Sequence, residues 1–258
     1  MGFALIVALG ALILFAVLLG LVELGGRLGA RALARNPNAT IGSSAMEGAV
    51  FALLGLLLAF TFFGAASRFD DRRKLIIDET NAIGTAYLRI DLLPAAAQPE
   101  LRDAFRRYVD QRLAAYRALP DLAAAGIALE RANEMQQQIW TKSVAASASS
   151  GGHPDSAKLL LPALNEMIDI TTTRTMAGQM HPPPVVFGLL VALMLLSALL
   201  AGYAMAASKT RNWLYRATFA FTLAGAAYVI LDFEYPRFGL IRVDAFDHAL
   251  VDLRQSMK

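Results

Sequence analysis

Residues 48–67 read GAVFALLGLLLAFTFFGAAS, an uncharged run bounded by Glu47 and Arg68. A bilayer core is crossed by about 20 predominantly apolar helical residues, so this stretch is predicted to span a membrane. With it as template, three more appear. Gly2–Val22 carries no charge and stops at Glu23, and Val185–Ser208 is entered through Pro182, Pro183 and Pro184 and stops at Lys209. Ala217–Leu231 is shorter. It reaches spanning length if Trp213 and Tyr215 sit at the headgroups and Arg216 snorkels toward them.

The four spans fall two and two around a polar insert. The expected fold is an all-α membrane protein with four transmembrane helices in two hairpins. The hairpins occupy residues 1–67 and 182–233, a helical extramembrane insert 68–181 and a C-terminal tail 234–258. A chain that is 56% hydrophobic and 17% charged departs from ordinary soluble composition in the direction of a membrane protein. The first span reads as retained, not as a cleaved signal peptide. It lacks a basic leading segment, its apolar run is too long, and no small-x-small site follows directly.

Charge placement addresses sidedness. Arg27, Arg31 and Arg35 recur every fourth residue between spans one and two, sharing one helix face beside Leu24 and Leu28. They serve as a topology signal or as contacts for anionic lipid headgroups. With Lys209, Arg211 and Arg216 near the second short loop, they place both short loops in the cytoplasm and the insert outside. Arg68, Arg72, Arg73, Lys74 and Arg89 after span two, and Arg237 and Arg242 after span four, pull the other way.

Within the insert, apolar residues fall at helical spacing and period-two alternation is absent. Span two is expected to run on without a break as far as Pro94, because no Gly-Pro punctuation interrupts it. Ile76, Ile83 and Ile90 repeat every seven residues there, flanked by Ala82 and Ala86, and make one apolar stripe for packing. Pro99 opens a second helix whose buried face is Leu101, Phe105, Tyr108, Val109 and Tyr116, and Pro120 closes it. A third helix runs from about Asp121 to Val144, carrying Gln136, Gln137, Gln138 and Trp140. Ala145–Gly152 reads as a loop. A fourth helix, about Ser156 to Met180, carries Leu160, Leu164, Met167, Ile168 and Thr171 to the prolines before span three. The insert's first and last helices are thus expected to continue spans two and three.

No catalytic chemistry is legible. No two of the three histidines, His153, His181 and His248, stand at metal-ligand spacing. There is no nucleophile elbow and no glycine-rich phosphate loop. No cysteine exists for a disulfide or thiolate site. A net charge of +3 with no recognisable nucleic-acid motif argues against that partner. No enzyme activity, cofactor, metal or nucleic acid is therefore expected. Asp70-Asp71 and Asp78-Glu79 lack the spaced oxygens and turn glycine of a calcium loop, and read as a solvated face paired with Arg72, Arg73 and Lys74.

Three features invite function. Phe60, Phe62 and Phe63 in span two offer an apolar constriction. Glu79 and Asn81 offer a polar ring lining an axial passage, or, for Glu79, an inter-helix salt bridge with Arg89 or Arg106. Asp232 and Glu234, at the exit of span four, form an acidic pair that would concentrate cations or bind basic partners, or else pair with Arg68, Arg72 or Arg73. Ala198, Gly202 and Ala206 form a small-residue face in span three suited to close helix approach.

These residues carry a resemblance. The segments LAFTFFGAASRFD at 58–70 and ETNAIGTAYLR at 79–89, Arg106-Arg107-Tyr108, Asn165–Asp169 and Leu231–Val243 together resemble the bestrophin-like domain family of bacterial membrane proteins, a domain of unknown function. The resemblance covers nearly the whole chain and implies four spans with a helical insert. Bestrophins themselves are pentameric anion channels with a cytosolic helical domain between spans two and three. By that comparison the chain is expected to be an oligomeric channel or pore of the bacterial plasma membrane, with lipids and its own copies as partners. Span two and its extension would line the axis. The alternative is a non-conducting scaffold or sensor whose insert binds a protein partner. The chain departs from bestrophins in lacking their aromatic neck pattern, although Phe60, Phe62 and Phe63 come near it, and in lacking a calcium clasp after span four.

Loop charges and bestrophin topology make opposite predictions for the insert. On this naturally Cys-free chain, the charges predict labelling of Ser208→Cys from the cytoplasm and of Ser150→Cys from outside. Labelling of Ser150→Cys from the cytoplasm decides for the family topology.

Overall fold

Long runs of Leu, Ala and Phe with few internal breakers favour helix, and the computed structural model is helical throughout. It describes residues 2–36, 43–208 and 212–257; Lys209 and Arg211 of the charge argument lie outside the described residues. The helices are α1 (Phe3–Arg35), α2 (Ser43–Leu88), α3 (Gln98–Ala118), α4 (Leu122–Ser147), α5 (Ser156–Gln179), α6 (Pro184–Met205), α7 (Trp213–Glu234) and α8 (His248–Ser256), with short 3₁₀ turns at Arg89–Leu92 and Asp244–Asp247. No strand occurs among the described residues. Four candidate membrane spans lie within Phe3–Arg35, Ala45–Leu92, Ser156–Met205 and Trp213–Glu234.

The chain forms two compact units, residues 1–68 with 181–240, and 69–180 with 241–258. Helix α2 contributes its residues up to Arg68 to the first and the remainder to the second.

In the first unit α1 packs along α6 and α7. Leu18, Val22, Leu54, Ala65, Met194, Ala198, Ala220 and Ile230 fill the core. The small face expected on α6 is used: Gly202 lies directly against the backbone of Val22. Its counterpart on α1 is Gly25, set against the backbone of Leu199 and Tyr203, with Gly29 one turn on against Tyr203 and Ala206. Many large apolar side chains, Leu12, Ile13, Phe60, Phe63, Val185 and Phe221 among them, point outward, as is expected of helices of membrane-spanning length and composition. The weakest expected span, α7, starts at Trp213, capped by the Asn212 side chain, which accepts the Leu214 N–H at 3.1 Å.

In the second unit α3 packs on α4, α4 on α5, and α8 on α3. The stripe of Ile76, Ile83 and Ile90 is buried, as are Leu101, Phe105, Tyr108 and Val109 on α3 and Leu160, Leu164 and Met167 on α5. Asp121 caps α4 by accepting the N–H groups of Ala123 and Ala124, each at 3.0 Å. Helix α4 runs to Ser147, past the expected end at Val144, because Ala145 and Ala146 favour helix and Ala146 is buried. The loop is correspondingly shorter. Arg72 reaches the end of α5. Its guanidinium donates to the carbonyls of Ala177 (3.1 Å) and Met180 (2.9 Å), which the end of α5 leaves without helical partners. The segment after Leu240 is packed: Leu250 and Met257 are buried in the unit's core.

Candidate functional site

Helix α2 presents two kinds of face. Phe60 and Phe63, three residues apart, share one side and are 66% and 72% exposed. Phe62 lies about 100° away and meets Phe233 of α7 edge to face, ring centroids 5.6 Å apart. The structure therefore brings Phe60 and Phe63 together, while Phe62, still 44% exposed, packs one edge within the unit. Thr61, on the buried side, returns its hydroxyl to the Leu57 carbonyl at 2.8 Å and so leaves no donor unsatisfied in the apolar layer.

The acidic pair at the end of α7 is engaged within the first unit. Glu234 has no exposed side-chain surface. The Arg68 Nε donates to its two oxygens at 3.0 and 3.2 Å, and Nη2 also bonds Oε1. His181 Nδ1 lies 3.2 Å from Oε2, its ring stacked on Tyr235 at 4.6 Å. Asp232 accepts the Leu240 N–H on both oxygens, at 3.0 and 3.1 Å. That approach needs a glycine at 239, since a Cβ there would collide with the Asp232 carboxylate. The pair thus organises the exit of α7.

In the second unit Glu79 and Asn81 part company. Asn81 is exposed, whereas Glu79 is 0% exposed and faces inward. Arg112 Nε donates to Glu79 Oε1 at 2.6 Å, and Arg174 Nη1 bonds Oε2. Tyr116 stands over both cations: its hydroxyl bonds Arg112 Nη2 and lies 3.3 Å from Glu79 Oε2, and its ring centroid is 4.0 Å from the Arg174 guanidinium. Arg174 also reaches Asp247 at 3.3 Å. Burial pushes the Glu79 carboxyl up, but the charges of Arg112 and Arg174 and their hydrogen bonds outweigh it and hold it below its ordinary value. The inter-helix salt bridge exists, with partners other than Arg89 and Arg106. The signal for them was available: Arg112 falls on the buried stripe of α3, and Arg174 continues the stripe Leu160, Leu164, Met167, Thr171 of α5.

Of the acidic pairs on α2, only Asp70-Asp71 pairs along its own helix, Arg73 with Asp70 at 2.9 Å and Lys74 with Asp71 at 3.7 Å. Glu79 of the other pair is buried and bound to Arg112 and Arg174 instead of forming a solvated face. Of the three arginines on α1, Arg27 bonds Glu23 at 3.1 Å, and Glu23 also binds Arg216 at 2.6 Å. Arg31 and Arg35 are exposed. Among the described residues no group of His, Cys, Asp and Glu is arranged to hold a metal ion.

A family model described as Bestrophin-like domain matches residues 10–245. Sequence comparison with curated proteins finds no match. Two crystal structures of mutant forms of a bacterial bestrophin homologue from Klebsiella pneumoniae are similar in fold. The first superposes with a TM-score of 0.67 at 15% identity, over 95% of this chain and 98% of that one. The second gives 0.63 at 15% identity, over 93% and 98%.

Proposed function

The chain belongs to the bestrophin-like family, and from that premise we propose that it is a subunit of an ion channel in the bacterial plasma membrane. Copies of the chain assemble around a common axis, with the two helical hairpins in the bilayer and α2 lining the passage. The observation that carries this reading is the outward face of α2, where Phe60 and Phe63 stand exposed while Leu54 and Ala65 of the same helix are buried. Helical spacing extends that face. Asn81 follows Phe63 by about five turns at 3.6 residues per turn, so a hydrophobic constriction is followed along one helix by a polar position. Hydrophobic constrictions gate conduction by dewetting, and polar rings set what passes. Glu79, buried in its own unit, supports this helix from behind, and Phe62, itself 44% exposed, stands beside the face with one edge on Phe233. Arg31 and Arg35 contact anionic headgroups at the membrane surface.

Reconstitution in planar bilayers tests the proposal. Unitary conductance is expected from the purified protein, and Phe63→Ala should raise it by about twofold or more by widening the apolar ring. Silence across ion types and voltages, from a protein that is monomeric or dimeric in detergent, would leave the scaffold reading instead.

A further inference from the structure

The amide-rich run of α4, which the pore does not use, borders a cavity in the second unit. Helix α4 sets Asn133, Gln136, Gln137 and Trp140 at three- and four-residue steps along one side, and α5 closes the other with Asn165 and Thr171. The volume is about 670 Å³, within the usual range of small-molecule sites. None of the lining residues is ionisable.

The floor is preorganised. Gln136 is only 6% exposed. Its Nε2 donates to the Tyr108 hydroxyl at 3.0 Å and to Thr171 Oγ1 at 3.3 Å. The Thr171 hydroxyl gives its own hydrogen to the Ile168 carbonyl at 2.7 Å and can therefore only accept from Gln136. That fixes the direction of the carboxamide. Both N–H bonds of Gln136 are spent, and Oε1 is left as its uncommitted acceptor. Trp140 rests partly on the core and lines the cavity with the rest of its indole. Asn133, Gln137 and Asn165 on the walls are exposed, each with a carboxamide that both donates and accepts.

Such a lining selects by chemistry. A charged group seated in this open cleft finds no counter-charge among the lining residues to offset the hydration it gives up. A molecule with an apolar ring face and hydroxyls at its edge satisfies both the indole and the paired donors and acceptors of the carboxamides. We infer that this cavity binds a neutral, hydroxyl-rich small molecule of the sugar or polyol class, its ring face on Trp140 and a hydroxyl donating to Gln136 Oε1. The site stands independently of the pore and adds a ligand to it.

The chain has two tryptophans, so Trp213→Phe leaves Trp140 as sole reporter in the full-length protein. Reconstituted in lipid nanodiscs free of sugar detergents, it is titrated with D-glucose, maltose and myo-inositol, and with glucose 6-phosphate and glutamate as charged probes. A saturable change in Trp140 emission is expected with at least one neutral probe and with neither charged one. Asn165→Ala, a change on the exposed wall, should weaken it by about three- to tenfold, the loss of one hydrogen bond. Gln136→Leu, checked for native helicity, should weaken it at least as much. Flat titrations for all three neutral probes while acrylamide still quenches Trp140 overturn the inference, as does saturation by the charged probes alone. Exclusion of acrylamide from Trp140 also overturns it, because another copy of the chain then covers the cavity.

Discussion

Glu79→Gln is expected to lower the stability of the folded protein by about 3–5 kcal/mol, the usual cost of removing one partner of a buried ion pair. The substitution is nearly isosteric, so the loss is electrostatic. Two guanidiniums, at Arg112 and Arg174, remain in a site where Arg112 is 2% exposed. Only Arg174 keeps a second carboxylate, that of Asp247. Tyr116 is a weaker partner for the positive charge that remains. In thermal melts the loss corresponds to a fall in Tm on the order of 10 °C for a chain of this size.

The pH dependence separates this account from simple misfit. The folded-state pKa of Glu79 lies below its ordinary value of 4.5. A depressed carboxylate contributes its full stabilisation above the unfolded pKa and loses it as pH falls through the folded one. The gap between wild type and Glu79→Gln should therefore be widest at neutral pH and shrink below about pH 4.5. Melts at pH 7 and at stepwise lower pH check this, and a gap that stays constant or widens in acid would refute the electrostatic account. A double-mutant cycle adds a second check. Glu79→Leu with Arg112→Met removes one charge of each sign and leaves Arg174 to Asp247, so it should recover part of the loss of Glu79→Leu alone, because a buried pair often contributes little beyond what an apolar replacement would.

How much of this was readable follows from what helical periodicity encodes. It tells which side of a helix is buried, so the four apolar runs and the Ile76, Ile83, Ile90 stripe could be read directly. The same rule, applied to polar residues, holds more than it first yields. Phe60 and Phe63 share a face that Phe62 does not, and Glu79 and Asn81, two residues apart, point about 200° from one another. The partners of Glu79 were hidden because periodicity says nothing about which helix faces which. Choosing Arg112 and Arg174 over Arg89 and Arg106 requires noticing cations on otherwise apolar stripes. The cavity beside Trp140 depends on the spacing between α4 and α5, and the chain encodes that only through the packing of everything else.

The approach of α1 to α6 yields the sharpest contrast in sign. Gly20→Ala and Gly202→Ala are the same chemical change in helix interiors, and they are expected to move stability in opposite directions. A Cβ built at Gly20 meets nothing within 4 Å, so Gly20→Ala gains about 0.5–1 kcal/mol of helix propensity. A Cβ at Gly202 falls on the carbonyl of Val22, and one at Gly25 falls on the carbonyl of Leu199, with the Tyr203 nitrogen at 2.9 Å. These obstacles are backbone atoms, which cannot swing aside as a side-chain end would. The helices must separate, and Leu18, Met194 and Ala198 then lose the close packing that holds apolar helices together where no hydrophobic force acts between them. The cost expected for Gly202→Ala is about 1–3 kcal/mol or more. Gly25→Ala should cost a similar amount, and the two together less than their sum, because one separation accommodates both methyl groups. Unfolding in mixed micelles measures the four variants and the wild type on one scale. Equal stability of Gly20→Ala and Gly202→Ala would mean that α1 and α6 are not in contact through these glycines. Full additivity of the two costly changes would mean that the two glycines do not share a single line of approach.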